Sequence, residues 1–495
     1  MALLEEVKKD YGELKLFIDG EWVPSRSDRW DEDPNPATGE RIASYPTATE
    51  EEVLRAVEAA AEAFPSWRDL PLRDRGRLLF GLRAKFEEHF EELARVLTQD
   101  HGRTIEEARG SVRRCIENIE SACSTLYLLS KGEHIDQLAR GIDEYLVWEP
   151  VGAFLIITPG NIPMHSWSSF VPYALACGCT VVWSPSWQCP VAANKVAEVV
   201  QEVGFPPGVH NMVHVGRDVR LNGLMLSDPR IKGVGFIGST RVGKIIYREV
   251  GELGKRASIN GNGKNHIVIM PDADLDRAVE YLLRGCFGMT GQRCLGTDNV
   301  VVVGEIYDEL KERFLRAASS MKLGYGLDES TELGPMTTLE GREKVLGWIE
   351  MGLREGAKLA LDGRGAKVEG YPKGFFLAPT ILEGVHPDMR IAREEAFGPV
   401  ANLIRASSLD EVIEWINTKT DLGHSACILT SDGRAARKFI REVNVGNVGV
   451  NLGIPQPYAF FPMGSKRESF FGVAHSRIDS FRLFMDQKTV TVRWV

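Results

Sequence analysis

The chain has 495 residues, 43% of them hydrophobic, and its 59 basic and 69 acidic residues give a formal net charge of −10. This length predicts two or three domains of about 100–200 residues each. The acidic balance argues against nucleic acid as a partner, and no apolar stretch reaches the ~18 residues of a membrane-spanning helix. Residues 1–10 have neither the apolar core of a signal peptide nor the arginines of a transit peptide, so we expect a cytoplasmic protein.

The eight cysteines are scattered along the chain. None forms a Cys-x-x-Cys pair, and no histidine spacing completes a zinc site. Cys177 and Cys179 are close in sequence, but two ligands alone do not make a metal site. We therefore expect reduced, buried thiols and predict no bound metal.

The first part of the chain is helical by pattern. Apolar residues recur at a spacing of three and four over residues 51–64, 73–100 and 104–129. This is the spacing of one face of an α-helix. The sequence thus predicts amphipathic helices that precede the first sheet.

After Pro150, short apolar strands alternate with helices. The predicted strands are residues 153–157, 180–183, 209–215 and 233–237, and the predicted helices are residues 190–203 and 240–253. Such alternation implies a parallel sheet with right-handed crossovers. Ligands of such sheets bind at the carboxyl ends of the strands.

The same pattern restarts near residue 258 and predicts a second α/β domain. Its predicted strands are residues 267–270, 300–303, 401–404, 426–430 and 446–450. We expect a cofactor domain from residues 1–128 and 150–257, and a catalytic domain from residues 258–475. Residues 129–149 and 476–495 contain strands without an obvious partner, which favours a homo-oligomer, either a dimer or a tetramer.

Residues 291–294 read Gly-Gln-Arg-Cys and follow an apolar stretch of small residues. A cation beside a thiol lowers the pKa of the thiol, and the thiolate is the nucleophilic form. Arg293 next to Cys294 therefore indicates an activated nucleophile. A buried structural cysteine is the alternative interpretation.

Two loops that follow predicted strands have the composition of ligand-binding turns. Residues 238–243 (Gly-Ser-Thr-Arg-Val-Gly) stand where a strand meets a helix, and helix N-terminal amides suit a diphosphate. In residues 158–163 (Thr-Pro-Gly-Asn-Ile-Pro), the amide of Asn161 can donate to a developing oxyanion, a contact worth roughly 2.7–4 kcal/mol. Tight turns without a ligand are the structural alternative for both loops.

Residues 394–400 (Glu-Glu-Ala-Phe-Gly-Pro-Val) precede another predicted strand. Exposed glutamates are typical of a solvated loop. A carboxylate held beside Phe-Gly-Pro can instead accept hydrogen bonds from ribose hydroxyls, and Glu395 is the candidate for this function.

In this order, the segments resemble those of the aldehyde dehydrogenase superfamily over essentially the whole chain. The supporting segments are residues 17–22 (Phe-Ile-Asp-Gly-Glu-Trp), 35–40 (Asn-Pro-Ala-Thr-Gly-Glu), 158–163, 236–240 (Phe-Ile-Gly-Ser-Thr), 291–294 and 394–400. The resemblance implies an α/β fold with a Rossmann-type cofactor domain, an α/β catalytic domain and a small β oligomerisation element.

The resemblance also implies a function for each candidate residue. Cys294 attacks the aldehyde, and Asn161 with the Cys294 backbone N–H holds the oxyanion. Hydride passes to NAD, with NADP as the alternative, and Glu395 holds the nicotinamide ribose. The other residues that the resemblance assigns to the cofactor are Thr158, Pro159, Gly160, Ser184, Trp187, Gly238, Ser239 and Gly243.

Within the superfamily, the chain most resembles the methylmalonate-semialdehyde dehydrogenases, which are the CoA-acylating branch. Asn260 stands where hydrolytic members have the glutamate that activates the deacylating water, and residues 263–266 (Gly-Lys-Asn-His) resemble that branch's Gly-Ala-Lys-Asn-His. Arg293 and Arg114 match its two arginines, which implies a clamp on a substrate carboxylate. Lys264 matches a family lysine for which we expect a structural function. The implied reaction oxidises malonate or methylmalonate semialdehyde through a cysteine thioester and transfers the acyl group to CoA.

Two other interpretations stay open at this point. A hydrolytic NAD(P)-dependent dehydrogenase would need another base, or Glu395 acting through water, in place of the missing glutamate. A degenerate member that only binds ligands is disfavoured, because Cys294, Asn161 and Glu395 are all present.

The chain also departs from the family's pattern. Residues 184–187 read Ser-Pro-Ser-Trp where most members have Lys-Pro-Ser-Glu, so both anchors of the adenosine ribose are missing. NAD is the expected cofactor, because a 2′-phosphate would lose its usual lysine. Gly160 replaces an aromatic residue of the acylating branch, which predicts a wider channel beside Asn161.

Overall fold

The computed structural model describes residues 3–494, with the backbone alone for residue 129, and it confirms the α/β fold. The strands, in chain order, are β1 (Leu16–Ile18), β2 (Glu21–Val23), β3 (Trp30–Pro34), β4 (Arg41–Pro46), β5 (His134–Ala139), β6 (Ile142–Pro150), β7 (Ala153–Ile157), β8 (Thr180–Ser184), β9 (His210–Met212), β10 (Ile231–Ile237), β11 (Arg256–Asn260), β12 (His266–Ile269), β13 (Asn299–Val303), β14 (Lys358–Leu361), β15 (Thr380–Glu383), β16 (Val400–Ala406), β17 (Leu422–Gly423), β18 (Ser425–Leu429), β19 (Asn447–Val450), β20 (Lys466–Arg467), β21 (Phe470–Gly472) and β22 (Met485–Arg493).

The helices lie before, between and after these strands. In chain order they are α1 (Glu50–Asp69), α2 (Leu72–Glu88), α3 (Phe90–His101), α4 (Ile105–Leu128), α5 (Pro163–Ser168), α6 (Val171–Cys177), α7 (Pro190–Val203), α8 (Arg220–Ser227), α9 (Thr240–Leu253), α10 (Leu275–Leu282), α11 (Tyr307–Ser319), α12 (Leu339–Arg354), α13 (Arg390–Arg393), α14 (Leu409–Thr418), α15 (Gly433–Glu442) and α16 (Phe481–Phe484). Within the described part of the chain, no helix has the length and apolar character to cross a membrane.

The first sheet has eight strands in the order β2-β1-β9-β8-β7-β10-β11-β21. The five strands from β9 to β11 are parallel, whereas β1 and β21 pair antiparallel at either side of them. Strands β7 and β8 are apolar runs that are almost wholly buried, because helices cover both faces of the sheet.

The second sheet has the order β14-β15-β16-β13-β12-β18-β19 and is parallel except for β14. Apolar clusters cover both of its faces. The boundary expected between residues 257 and 258 falls inside β11, which completes the first sheet by pairing with β10. The late strand β21, which was expected in the catalytic domain, also joins the first sheet by pairing with β11.

The third sheet contains the two strands for which the sequence showed no partner. They pair with each other, from Met485 opposite Pro150 to Arg493 opposite Ile142, and β5 adds a third strand that sequence reasoning missed. The apparent lack of a partner was wrong, because the two strands are more than 300 residues apart and only the tertiary fold brings them together. The side chains of β5 are exposed along its whole length.

The topology brings the candidate motifs together between the two large sheets. Residues 158–162 follow the carboxyl end of β7, residues 238–239 follow β10, and residues 261–262 follow β11. The loop that contains Cys294 precedes β13, and the loop that contains Glu395 precedes β16. Five separate loops, which belong to the two large sheets, thus meet at one site.

Candidate active site

Cys294 lies between two cavities. The first, of about 340 Å³, is called here the Glu395 cavity, and the second, of about 230 Å³, the Arg293 cavity; Cys294, Asn161 and Ile162 line both. Other residues of the Glu395 cavity are Pro159, Gln188, Gly238, Ser239, Asn262 and Glu395. Other residues of the Arg293 cavity are Glu107, Arg114, His165, Met289, Arg293 and Met463. The cysteine can therefore meet one ligand from each side.

The loop before Cys294 has a constrained backbone. Met289, Thr290 and Gly291 adopt φ values of 53°, 54° and 68°, a left-handed conformation that non-glycine residues rarely adopt. The Thr290 hydroxyl donates to the carbonyls of residues 334 and 335, and the Asn265 amide donates to the Cys294 carbonyl at 2.8 Å. These contacts fix the direction in which the cysteine leaves the loop.

Cys294 differs from the seven other cysteines, because they are all buried and it is partly exposed. Burial and the neighbouring Glu395 carboxylate raise the pKa of its thiol to about 11, although Arg293 and Arg477 act in the opposite direction. Arg293 thus lowers the pKa of the thiol, but burial outweighs its effect. At neutral pH this site holds a thiol that becomes reactive only when its proton leaves.

Asn161 lies beside the thiol in the loop after β7. Its side-chain Nδ2 donates to the backbone carbonyl of Gln292 at 2.9 Å, and the backbone carbonyl of Asn161 accepts from the buried Arg103 guanidinium. An amide nitrogen has two hydrogens, so one remains for a ligand. The structure thus brings the predicted oxyanion donor and the predicted nucleophile to the same two cavities.

The two predicted arginines line the Arg293 cavity, but they are not equivalent. Arg114 donates to Glu117 on the same helix at 2.5 Å and lies over the Tyr458 ring at 4.8 Å. Arg293 has no ion-pair or hydrogen-bond partner among residues 3–494 at its side chain, and burial lowers its pKa. An unpaired guanidinium in a small cavity is ready to bind an anionic ligand.

Glu395 lines the Glu395 cavity and belongs to the loop before β16 of the second sheet. Burial and the charge of Asp298 raise its pKa to about 8, while contacts with Asn262 and the Gly263 N–H, the latter at 3.3 Å, act in the opposite direction. Asn262 also accepts from the Thr240 N–H at the start of α9. Sequence reasoning missed Asn262, because an asparagine in a glycine-rich turn gives no distinctive signal.

The residues expected to bind the cofactor fall into two groups. Pro159, Gly238 and Ser239 line the Glu395 cavity, and Ser239 caps α9, where N-terminal amides favour an anion. The remaining residues lie behind this surface: Thr158 and Ser184 are buried, Gly160 lies under Gln188, and Gly243 lets α9 pack on Ile259. Gln188 occupies the space beside Gly160, so the missing aromatic side chain does not leave a simple gap.

Trp187 does not line the Glu395 cavity. Its ring packs near the N-terminal segment and carries the Arg217 guanidinium at 3.7 Å, and Arg217 donates to Glu340 at 2.8 Å. Glu340 lies in the first turn of α12, so this contact joins α12 to the segment before α8. A cation and a carboxylate therefore stand beside Trp187, which occupies the position of the missing glutamate, but they come from later segments of the chain.

Asn260 ends β11, with its side chain only 3% exposed. Among the described residues, neither of its amide atoms has a hydrogen-bond partner. Lys264 forms a buried ion pair with Asp298 at 3.2 Å, in keeping with the structural function expected for it.

Comparisons with known proteins place this arrangement in context. Residues 22–490 match the aldehyde dehydrogenase family. Malonate-semialdehyde dehydrogenase 1 of Geobacillus thermodenitrificans is 43% identical over 97% of this chain and 99% of its own length. Malonate-semialdehyde dehydrogenase of Pseudomonas aeruginosa is 38% identical over 98% of this chain and 97% of its own length.

Solved structures agree with the sequence comparisons. Methylmalonate-semialdehyde dehydrogenase of Oceanimonas doudoroffii superposes with a TM-score of 0.95 at 36% identity, covering 98% of this chain and 99% of that one. A Sinorhizobium meliloti protein described as a methylmalonate-semialdehyde dehydrogenase, solved in complex with NAD, superposes with a TM-score of 0.94 at 35% identity over 98% of both chains.

Proposed function

The chain belongs to the aldehyde dehydrogenase family, and from this premise we propose that it oxidises a short carboxylated aldehyde with NAD and transfers the acyl group to CoA. One observation carries the proposal. Cys294 lies between a cavity with two arginines and a cavity with the cofactor residues, and asparagine stands at the position of the hydrolytic base. The malonate-semialdehyde type of substrate follows from the names of the relatives and from the arginines.

The Arg293 cavity binds the substrate. Its volume of about 230 Å³ suits a chain of a few carbons, and Arg293 and Arg114 neutralise a carboxylate at the end remote from the aldehyde. Forked, charge-assisted hydrogen bonds fix the orientation of such a group. The aldehyde carbon then faces Cys294, because the thiol lines the same cavity.

The chain's own residues act on the aldehyde in sequence. The Cys294 thiol loses its proton to solvent, and its sulfur forms a bond to the aldehyde carbon. The free N–H of Asn161 and the Cys294 backbone N–H stabilise the oxyanion of the thiohemiacetal. NAD bound in the Glu395 cavity would supply the acceptor for the hydride that leaves this carbon, and a thioester would then remain on Cys294.

The release of the acyl group depends on the acceptor. An amide cannot take a proton from water at neutral pH, so Asn260 does not act as the base for hydrolysis. The thioester therefore persists until the CoA thiol loses its proton to solvent, its sulfur attacks the carbonyl carbon and Cys294 leaves as the thiolate. For a malonate semialdehyde, the carboxylate is also lost as carbon dioxide or bicarbonate, and a proton from solvent takes its place on the carbon.

A hydrolytic reaction is the second candidate. Glu395 lines the same cavity as Cys294, and its raised pKa of about 8 lets it hold or release a proton near neutral pH. It would then activate a water in place of the missing glutamate. This alternative predicts free acid as the product and turnover that does not depend on CoA.

The test compares two aldehydes and two acceptors. NADH formation is measured with malonate semialdehyde and with propanal, each with and without CoA, and the products are identified by mass. The proposal predicts acyl-CoA and strong CoA dependence with malonate semialdehyde. It also predicts that Asn260→Glu raises the fraction of free acid, whereas the control Asn260→Gln does not. Equal turnover without CoA in the wild type contradicts the acylating reaction.

The remaining assignments are also proposals. NAD is preferred over NADP, because Glu340 and the Trp187 ring already hold the Arg217 guanidinium that would have to meet a 2′-phosphate. A homo-oligomer, either a dimer or a tetramer, is supported by the exposed three-stranded sheet. The eight free thiols support the cytoplasmic location expected from the sequence.

A further inference from the structure

His165 lines the Arg293 cavity together with Cys294, Arg114 and Arg293. It belongs to the short helix α5, which begins two residues after Asn161, and only 5% of its surface is exposed. No motif of the sequence pointed to it, since a lone histidine in an apolar helix is typical of a core residue. Its position in the cavity distinguishes it from such a residue.

A fully buried arginine lies behind the imidazole ring. Arg477 is 0% exposed, and one of its guanidinium nitrogens lies 3.2 Å from the Nε2 atom of His165. The same guanidinium donates to the Pro457 carbonyl, and the Arg477 backbone N–H donates to the Ser169 carbonyl at 3.0 Å. Arg477 is therefore anchored to both neighbouring segments and cannot follow a moving ring.

This contact determines which ring nitrogen carries the proton. A guanidinium has donors and no acceptor, so Nε2 of His165 must accept and the ring proton must lie on Nδ1. Burial and the charge of Arg477 hold the pKa of His165 well below its usual range, and Arg114, Arg103 and Arg293 act in the same direction. His165 is thus a neutral ring with one fixed N–H donor.

That donor has no internal partner. Nδ1 of His165 makes no hydrogen bond within the part of the chain that the structure describes. Unlike the buried side-chain atoms without a partner, it retains some solvent-accessible surface. The carboxylate of Glu107, which also lines the cavity, is already held by the backbone N–H groups of Met289 and Thr104. The Nδ1–H therefore remains available to a ligand in the Arg293 cavity.

We propose that His165 is a substrate-binding residue that donates its Nδ1–H to the carboxylate of the aldehyde substrate, and that Arg477 is the positioning residue that fixes this tautomer. The inference rests on the proposed function, because it assigns a third donor to the same substrate. Asn161 and the Cys294 N–H already serve the aldehyde oxygen, so the carboxylate is the group that can use another donor. The cavity therefore selects short aldehydes with a carboxylate over uncharged aldehydes of equal length.

The experiment measures kcat/KM for malonate semialdehyde and for propanal in the presence of NAD and CoA. In wild type we expect a clear preference for malonate semialdehyde. His165→Met removes the donor at similar volume and is expected to reduce this preference about tenfold or more. His165→Gln retains both an acceptor for Arg477 and an N–H donor, so it should recover most of the preference. In Arg477→Met the ring proton of His165 can lie on either nitrogen, so the preference for malonate semialdehyde should fall, but less than in His165→Met.

The control is His214→Met, which replaces another buried histidine, bound to Asn194, that lies outside both cavities. It should lower the melting temperature without changing the substrate preference. An equal loss for both aldehydes in His165→Met overturns the inference, because the histidine would then be structural or would serve the aldehyde oxygen. An unchanged preference in His165→Met also overturns it. A wild type without any preference contradicts the carboxylated substrate of the proposed function itself, so the two failures can be told apart.

Discussion

Arg293 is the residue whose replacement tests substrate recognition most sharply. In Arg293→Met, the cavity loses a guanidinium that has no other side-chain partner within residues 3–494. Hydrogen bonds to charged groups contribute about 1.5–3 kcal/mol. At about 1.4 kcal/mol for each factor of ten, we expect kcat/KM for malonate semialdehyde to fall about 10–150-fold.

Arg114→Met should have a smaller effect. Glu117 already binds Arg114 at 2.5 Å, so less of its hydrogen-bonding capacity is available to the substrate. Arg113→Met is the matched control on the same helix, because Arg113 is exposed and pairs with Glu87 at 3.2 Å. We expect the order of loss to be Arg293, then Arg114, with Arg113 unchanged.

The assay must separate binding from activation, because Arg293 also lowers the pKa of the Cys294 thiol. A higher thiol pKa lowers kcat/KM for malonate semialdehyde and for propanal by the same factor. A lost carboxylate contact lowers kcat/KM for malonate semialdehyde alone. The ratio of the two kcat/KM values therefore isolates recognition. If Arg293→Met leaves this ratio unchanged, the guanidinium does not bind the substrate carboxylate and the reasoning is refuted.

Three further predictions follow from charge and burial. Above pH 8, where Glu395 is ionised, Glu395→Gln removes a negative charge that raises the pKa of Cys294, so iodoacetamide should label this thiol faster than in wild type; equal labelling rates at pH 9 would contradict the assigned electrostatics. The buried carboxyls of Asp33 and Asp100 have raised pKa values, that of Asp100 to about 7, because burial disfavours their charge. The folded state therefore loses stability as the pH rises from the ordinary carboxyl pKa of 3.8 through about 7. The melting temperature should fall between about pH 4 and pH 7 and level off above, and the fall should be smaller in Asp100→Asn. Ile135→Asp on the exposed strand β5 should give a smaller species in light scattering if this sheet forms the subunit contact, and an unchanged mass would exclude that edge.

Local pattern was sufficient for most of the fold. The helices Pro190–Val203 and Thr240–Leu253 and the strand Ala153–Ile157 lie where periodicity and turn residues predicted them. The long predicted helix over residues 73–100 is two helices that break at His89. The buried residues of both helices continue one apolar spacing of three and four, so the sequence pattern gives no sign of the break.

Tertiary pairing was not predictable in the same way. Strand β6 finds its partner β22 more than 300 residues later, and β21 returns to the first sheet after the whole catalytic domain. Short motifs indicated Cys294, Asn161 and Glu395, because their chemistry requires distinctive neighbours. His165 and Arg477 have no such signal, because they are far apart in sequence and their side chains come into contact only in the folded chain.

The most direct test of the account is a single turnover without CoA. Enzyme mixed with NAD and malonate semialdehyde should release about one NADH per site, then stop, with an acyl group on Cys294 that intact-mass analysis detects. Addition of CoA should remove that group and restart NADH formation. Continued NADH release without CoA, giving free acid and no acylated Cys294, would contradict the central claim that Asn260 leaves the thioester waiting for a thiol.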